Sequence, residues 1–125
     1  MSVPRTRTAS ILAAVAVLSL VMSLSSPASA GQVVLIRGNN AHWHPARVEI
    51  TTGTVVRWKA IDVRHHLVSY GGNWSVDSVL NAGDSVRHRF RRTGTFKFYC
   101  SIHGSLDYNT GACTGMCGRV RVTSG

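Results

Sequence analysis

The sequence predicts an all-β domain, a Greek-key β-sandwich or barrel of about seven to eight strands. Three observations predict it. Short β-branched and aromatic segments recur with turn signals between them roughly every 8–12 residues. No stretch sustains a helical apolar period. Within several segments, apolar and polar residues alternate, as they do on a pleated strand with one buried face.

The strands follow in order. Residues 32–37 (QVVLIR) form the first and end at Gly38-Asn39-Asn40. Residues 47–51 (RVEIT) and 54–60 (TVVRWKA) flank Thr52-Gly53 and read as a hairpin. Residues 66–70 (HLVSY) precede Gly71-Gly72-Asn73, and 74–80 is ambiguous. Residues 85–90 (SVRHRF) follow the turn Asn81-Ala82-Gly83-Asp84. Residues 95–100 (TFKFYC) follow Thr93-Gly94, and 119–123 (RVRVT) close the domain. Alternation places Val56 and Trp58 inside, with Phe96, Phe98 and, at its strand's end, Cys100. It also turns Val86, His88 and Phe90 to one face and Arg87 and Arg89 to the other.

Residues 1–30 are set apart from this domain. Arg5 and Arg7 precede a 14-residue apolar run at 11–24, and Ala28-Ser29-Ala30 supplies small residues for processing. This is the tripartite form of a secretory signal peptide, cleaved after Ala30, and the run is short for a membrane span. The expected mature chain is a single domain, 31–125, secreted to the periplasm or cell exterior, with no transmembrane segment after cleavage. It holds twelve Lys and Arg against five acids, a net charge of +7 with His neutral. Such a charge favours acidic partners. The basic run at 87–92 reads as a solvated strand face, and nucleic acid is not expected as a partner of an exported protein.

The chemistry concentrates near the C-terminus. Cys100, His103 and Met116 lie between the last two strands, and His65-His66 opens another. Two imidazoles, a thiolate and a weak axial thioether are the donor set of a blue-copper electron-transfer site. Three cysteines in an exported chain leave one unpaired. We read Cys113 and Cys117, four apart, as a disulfide and Cys100 as the free thiolate. His42 and His44 read as solvent-facing residues around a buried Trp43, and His88 as half-buried. A second metal site formed by His42, His44 and His65 is the other reading of that group.

The mature chain resembles the cupredoxins, in particular small secreted ones of the plastocyanin and amicyanin type. The resemblance rests on Trp43-His44-Pro45, Gly53-Thr54-Val55-Val56-Arg57-Trp58, Asp62-Val63-Arg64-His65-His66-Leu67-Val68, Asn81-Ala82-Gly83-Asp84-Ser85 and Gly94-Thr95-Phe96-Lys97-Phe98-Tyr99-Cys100. It continues through Cys100-x-x-His103 and Met116-x-Gly118-x-Val120. Three positions depart from the pattern: His65 stands where Pro is frequent, Leu67 where Asn or Thr is usual, and twelve residues separate His103 from Met116. The resemblance implies one copper ion cycling between Cu(II) and Cu(I), held by His66, Cys100, His103 and axial Met116. The Asp-x-x-x-His-x-Val spacing selects His66 over His65. It further implies a non-enzymatic, monomeric one-electron carrier working by outer-sphere transfer, with His103 as the electron port and a redox-partner protein that docks through an acidic surface. A copper-binding or delivery protein on the same fold is an alternative. A structural zinc module using Cys100, His103, Cys113 and Cys117 is another.

Overall fold

A computed structural model describes residues 2–4, 13–19, 27–29 and 31–125. The remaining positions of 1–30, Ala30 among them, lie outside the described residues, so the expected cleavage site does too. Nine strands follow in chain order: β1 (Val33–Asn39), β2 (His42–His44), β3 (Arg47–Thr51), β4 (Val55–Ala60), β5 (His65–Tyr70), β6 (Asp77–Leu80), β7 (Ser85–Arg89), β8 (Gly94–Leu106) and β9 (Cys113–Thr123). They form two sheets, ordered β2-β1-β4-β7 and β3-β9-β8-β5-β6. The fold is the expected all-β sandwich.

Two expectations are corrected. Strands β3 and β4 do not form a hairpin. Gly53, at φ +91°, turns the chain, but β3 pairs in parallel with β9 in one sheet and β4 in parallel with β1 in the other. Thr52-Gly53 is therefore a crossover between layers. The stretch after His103 is not an irregular loop either. Strands β8 and β9 continue past a break in register between Tyr99 and Gly104 and pair again as Gly104↔Gly115, Ser105↔Thr114 and Leu106↔Cys113.

The inward residues alternate as read. Val56, Trp58, Phe96, Phe98 and Cys100 are buried, joined by Ile36, Ile50, Leu67 and Val120. Phe98 sits at the centre. Its ring meets Trp58 at 5.3 Å and Trp43 at 5.9 Å, edge to face in both cases. Each of these side chains contributes ~1.5–3 kcal/mol through burial. Strand β2 alternates as expected, with Trp43 buried between exposed His42 and His44. His88 is half-buried on β7. Tyr99 points outward from its sheet yet is only 6% exposed. Its hydroxyl lies 3.0 Å from that of Tyr108, in the turn that joins the extended β8 and β9 arms. That hydrogen bond, with burial, pushes the Tyr99 phenol up to about 12.

Candidate metal centre

Three donor atoms converge at one end of the sandwich. His65 Nδ1 and His103 Nδ1 are 3.2 Å apart, and Cys100 Sγ lies 3.8 Å from the first and 3.6 Å from the second. Ligands bound to one ion at metal–nitrogen and metal–sulfur distances of ~2.0–2.3 Å stand ~3.3–3.8 Å apart in trigonal or tetrahedral geometry. The triangle fits a single metal ion of that kind. It is the group of His, Cys and acidic donors that could hold a metal among the described residues.

The backbone explains the convergence. His65 opens β5 and Leu67 lies two residues on, directly opposite Cys100 of β8. Both His65 and Leu67 are fully buried. Cys100 and His103 occupy the irregular stretch where the β8–β9 register breaks, which leaves room for both side chains to reach the same point.

His65, one residue before the expected His66, lies with Cys100 and His103. A strand's faces alternate at every residue, so a one-residue difference reverses the face. Leu67 is the inward residue, and His65 shares its face. His66 turns the other way. Its Nε2 lies 2.5 Å from Asp77 Oδ1 and its Nδ1 2.6 Å from Ser101 Oγ. With Nε2–H donating to the carboxylate, the Ser101 hydroxyl donates to Nδ1. The His66 backbone N–H also points at Cys100 Sγ, 3.3 Å away. His66 thus ties β5 to β6 and to the residue after the thiolate, and its amide favours the anionic form of the sulfur.

His65 is itself held. Asp62 Oδ1 stands 3.0 Å from its Nε2. The N–H on that nitrogen donates to the carboxylate, which leaves the Nδ1 lone pair directed into the donor triangle. Asp62 in turn accepts the Asn40 N–H at 2.8 Å and the Val63 N–H at 2.8 Å. The His65 hydrogen bond, helped by these amides, holds the Asp62 carboxyl well below its usual range. Gly38 makes the space: a Cβ there would come within 2.9 Å of Trp43 and 3.0 Å of His65. The reading from sequence missed both Asp62 and Gly38 as parts of the site.

Met116 is fully buried and lies across the extended hairpin from Gly104, where an added Cβ would come 3.1 Å from the Met116 nitrogen. Cys113 and Cys117 form the expected disulfide and Cys100 is free. The zinc set is corrected by that bond, which removes two of its four ligands.

No protein-family model matches the chain. No curated protein sequence matches it either. Solved structures do. The chain is similar to a purple cupredoxin from Nitrosopumilus maritimus at 29% identity, over 72% of this chain and 99% of that one, with a TM-score of 0.55. It is also similar to a copper-containing nitrite reductase from Thermus scotoductus SA-01 at 25% identity over 74% of this chain, with a TM-score of 0.60. A reduced amicyanin variant shares the fold at 14% identity, over 73% of this chain and 82% of that one, with a TM-score of 0.59.

The chain has the cupredoxin fold.

The chain spans 22% of the nitrite reductase chain. The cupredoxin fold and the His65-Cys100-His103 cluster together support a copper electron-transfer protein. Among the described residues, no helix is long and apolar enough to cross a membrane.

Proposed function

We propose that this chain is an exported one-electron carrier in which His65, Cys100 and His103 would hold one copper ion, with the buried Met116 as a further, thioether donor. The observation that carries the reading is the triangle of two imidazole nitrogens and one sulfur with sides of 3.2 to 3.8 Å. Copper held there supplies a Cu(II)/Cu(I) couple, for which thiolate and thioether favour the reduced state and imidazole serves both.

The chain's own residues supply rigidity. Asp62 fixes the His65 tautomer, His66 pins Ser101 beside the thiolate, and the disulfide brackets Met116. Donors that move little between oxidation states keep the reorganisation small. His103 is part-buried beside Ile102, which is 51% exposed, so we assign electron entry and exit to His103 by outer-sphere transfer. No bond chemistry is assigned to the chain, and we take it to act as a monomer.

Residues 1–30 act in this reading as a leader cleaved after Ala30, which delivers the domain to the periplasm or cell exterior. The contact in which Thr51 N–H donates to Ala28 O at 2.9 Å then belongs to the precursor alone. The excess of Lys and Arg suits a redox partner with an acidic docking surface.

Titration with Cu(II), followed by visible absorption, tests the function. An intense thiolate-to-copper band that saturates at about one equivalent and vanishes in Cys100→Ser is expected. A protein that stays colourless, or shows only weak d–d absorption, overturns the reading. Ready loss of copper to an apo-protein, with no reversible one-electron wave, would put copper delivery in its place.

A further inference from the structure

The outer face of the second sheet carries an arrangement that the copper site does not use. Arg47 of β3 lies directly opposite Arg119 of β9, and Arg119 lies directly opposite Lys97 of β8. Three cations on three adjacent strands therefore share one row and one face. Residues directly opposite one another on a sheet have Cβ atoms ~4.5–5.5 Å apart, and like charges at that spacing repel. Arg119 takes part in two such pairs.

Carboxylates of the chain do not relieve this row. Among the described residues, the ion pairs within salt-bridge distance are His65–Asp62 and His66–Asp77. Glu49, the acid on β3, lies opposite Arg121, one step further along the sheet. Asp107 is occupied in its own turn, where its Oδ1 accepts the Asn109 N–H at 2.9 Å and the Thr110 N–H at 3.3 Å.

The row also borders a cleft of about 200 Å³. Arg47, Lys97 and Arg119 line it, with the Cys113–Cys117 disulfide as one wall and Tyr70 as another. Tyr70 sits opposite Lys97 on β5, and the Lys97 ammonium lies 5.1 Å from the centre of its ring. The aromatic face thus holds the ammonium over the cleft. Two guanidinium forks and an ammonium around a small concavity are donors of the kind that bind a tetrahedral oxyanion, which two forks can grip in bidentate fashion.

We propose that Arg47, Lys97 and Arg119 form a binding site for a phosphate- or sulfate-sized oxyanion on the outer face of the second sheet. The anion neutralises the row and bridges β3, β9 and β8. The site is separate from the donor triangle and does not depend on its metal.

The test uses inorganic phosphate added to the full chain at constant ionic strength, balanced with sodium chloride and followed by backbone amide NMR. Saturable shifts at Arg47, Lys97, Gly118 and Arg119 are expected. Arg119→Gln should weaken phosphate binding by about tenfold and Lys97→Gln by a few-fold, the scale of lost charge-assisted hydrogen bonds. Arg87→Gln, on the other sheet, should leave binding unchanged. Thermal unfolding confirms that each variant is folded. Shifts that do not saturate, that chloride reproduces, or that keep the parent's affinity in Arg119→Gln overturn the proposal. Sedimentation with phosphatidylglycerol vesicles separates the sources of the phosphate group. Vesicle binding that Arg119→Gln abolishes, without any response to free phosphate, would overturn the free-ion site in favour of a lipid headgroup.

Discussion

The two ends of the sandwich share strand β8 and serve opposite purposes. At one end, Trp58, Trp74, Phe90 and Phe96 pack ring on ring, with Phe90 and Phe96 at 5.0 Å and Trp58 and Trp74 stacked at 5.8 Å. At the other, inward positions of β5 and β8 hold His65 and Cys100, polar groups fully buried beside Leu67 and Trp43. The aromatic end gains stability from every contact. The donor end buries groups that cost free energy unless they are partnered. Phe98 joins the two, touching Trp58 on one side and Trp43 on the other, and Trp43 in turn meets His65 at 5.7 Å. The difference teaches that the metal end borrows its rigidity from the apolar end through a short relay of rings.

Three comparisons bear on this contrast, beginning with the largest effect. His65→Ala should abolish the thiolate-to-copper band, whereas His66→Ala should keep it with affinity lowered by about tenfold, the scale for a group that only supports ligands. Parallel copper titrations of the two variants check this. A band that survives in His65→Ala would break the division between donor and support.

The second comparison sets Phe98→Ala against Phe90→Ala. Each should cost ~3–5 kcal/mol in denaturant unfolding, since both side chains are almost completely buried. Only Phe98→Ala should also change the copper spectrum, because only Phe98 contacts the Trp43 that packs on His65. An equal spectral change in Phe90→Ala would show that the two ends are coupled through the whole core and not through the relay.

The smallest effect concerns pH and belongs to the aromatic end alone. Burial pushes His88 below its ordinary value of 6.5, with its ring against Phe90 at 4.6 Å and Trp74 at 5.3 Å. The unfolded chain then takes up a proton near 6.5 that the folded chain takes up only at lower pH. The neutral, folded His88 is therefore accommodated at no proton-linked cost above about 6.5, and stability falls as pH drops through that value. Denaturation midpoints at a series of pH values should show His88→Phe losing stability less steeply than the parent below pH 6.5. Identical slopes would show that His88 does not carry the pH dependence.

Much of this was legible in the sequence where alternation alone decides the outcome. Val56 and Trp58, and Phe96, Phe98 and Cys100, were readable as inward because their strands alternate cleanly. The same rule, applied to His65-His66-Leu67, selects His65, since Leu67 is the apolar member of the pattern. The motif spacing counted from Asp62 points one residue further, and it was the weaker guide. Placing His66 at the polar position also accounts for Leu67 following it. Other features were out of reach for physical reasons. A Thr-Gly turn reverses the chain whether the next strand joins the same sheet or the opposite one, so the crossover between β3 and β4 left no local mark. The arm between Gly104 and Gly115 is rich in Gly and Thr, and its pairing depends on a partner strand rather than on its own propensity. Asp62 and Gly38 matter through contacts with His65 that only the folded chain brings about.

The break in register between Tyr99 and Gly104 has a consequence for how this protein can diverge. It divides the hairpin into two segments with separate pairings, and Cys100 and His103 stand in the gap. The two-residue interval between them is fixed by the donor triangle, whereas the tip of the arm, beyond Leu106 and Cys113, meets the sheet through the Tyr99–Tyr108 hydrogen bond. Matched pairs of residues can be added to or removed from that arm while the donors keep their spacing. Descendants of this chain are thus free to explore new lengths and contours beside the metal without disturbing it, and lineage-specific change should accumulate there first.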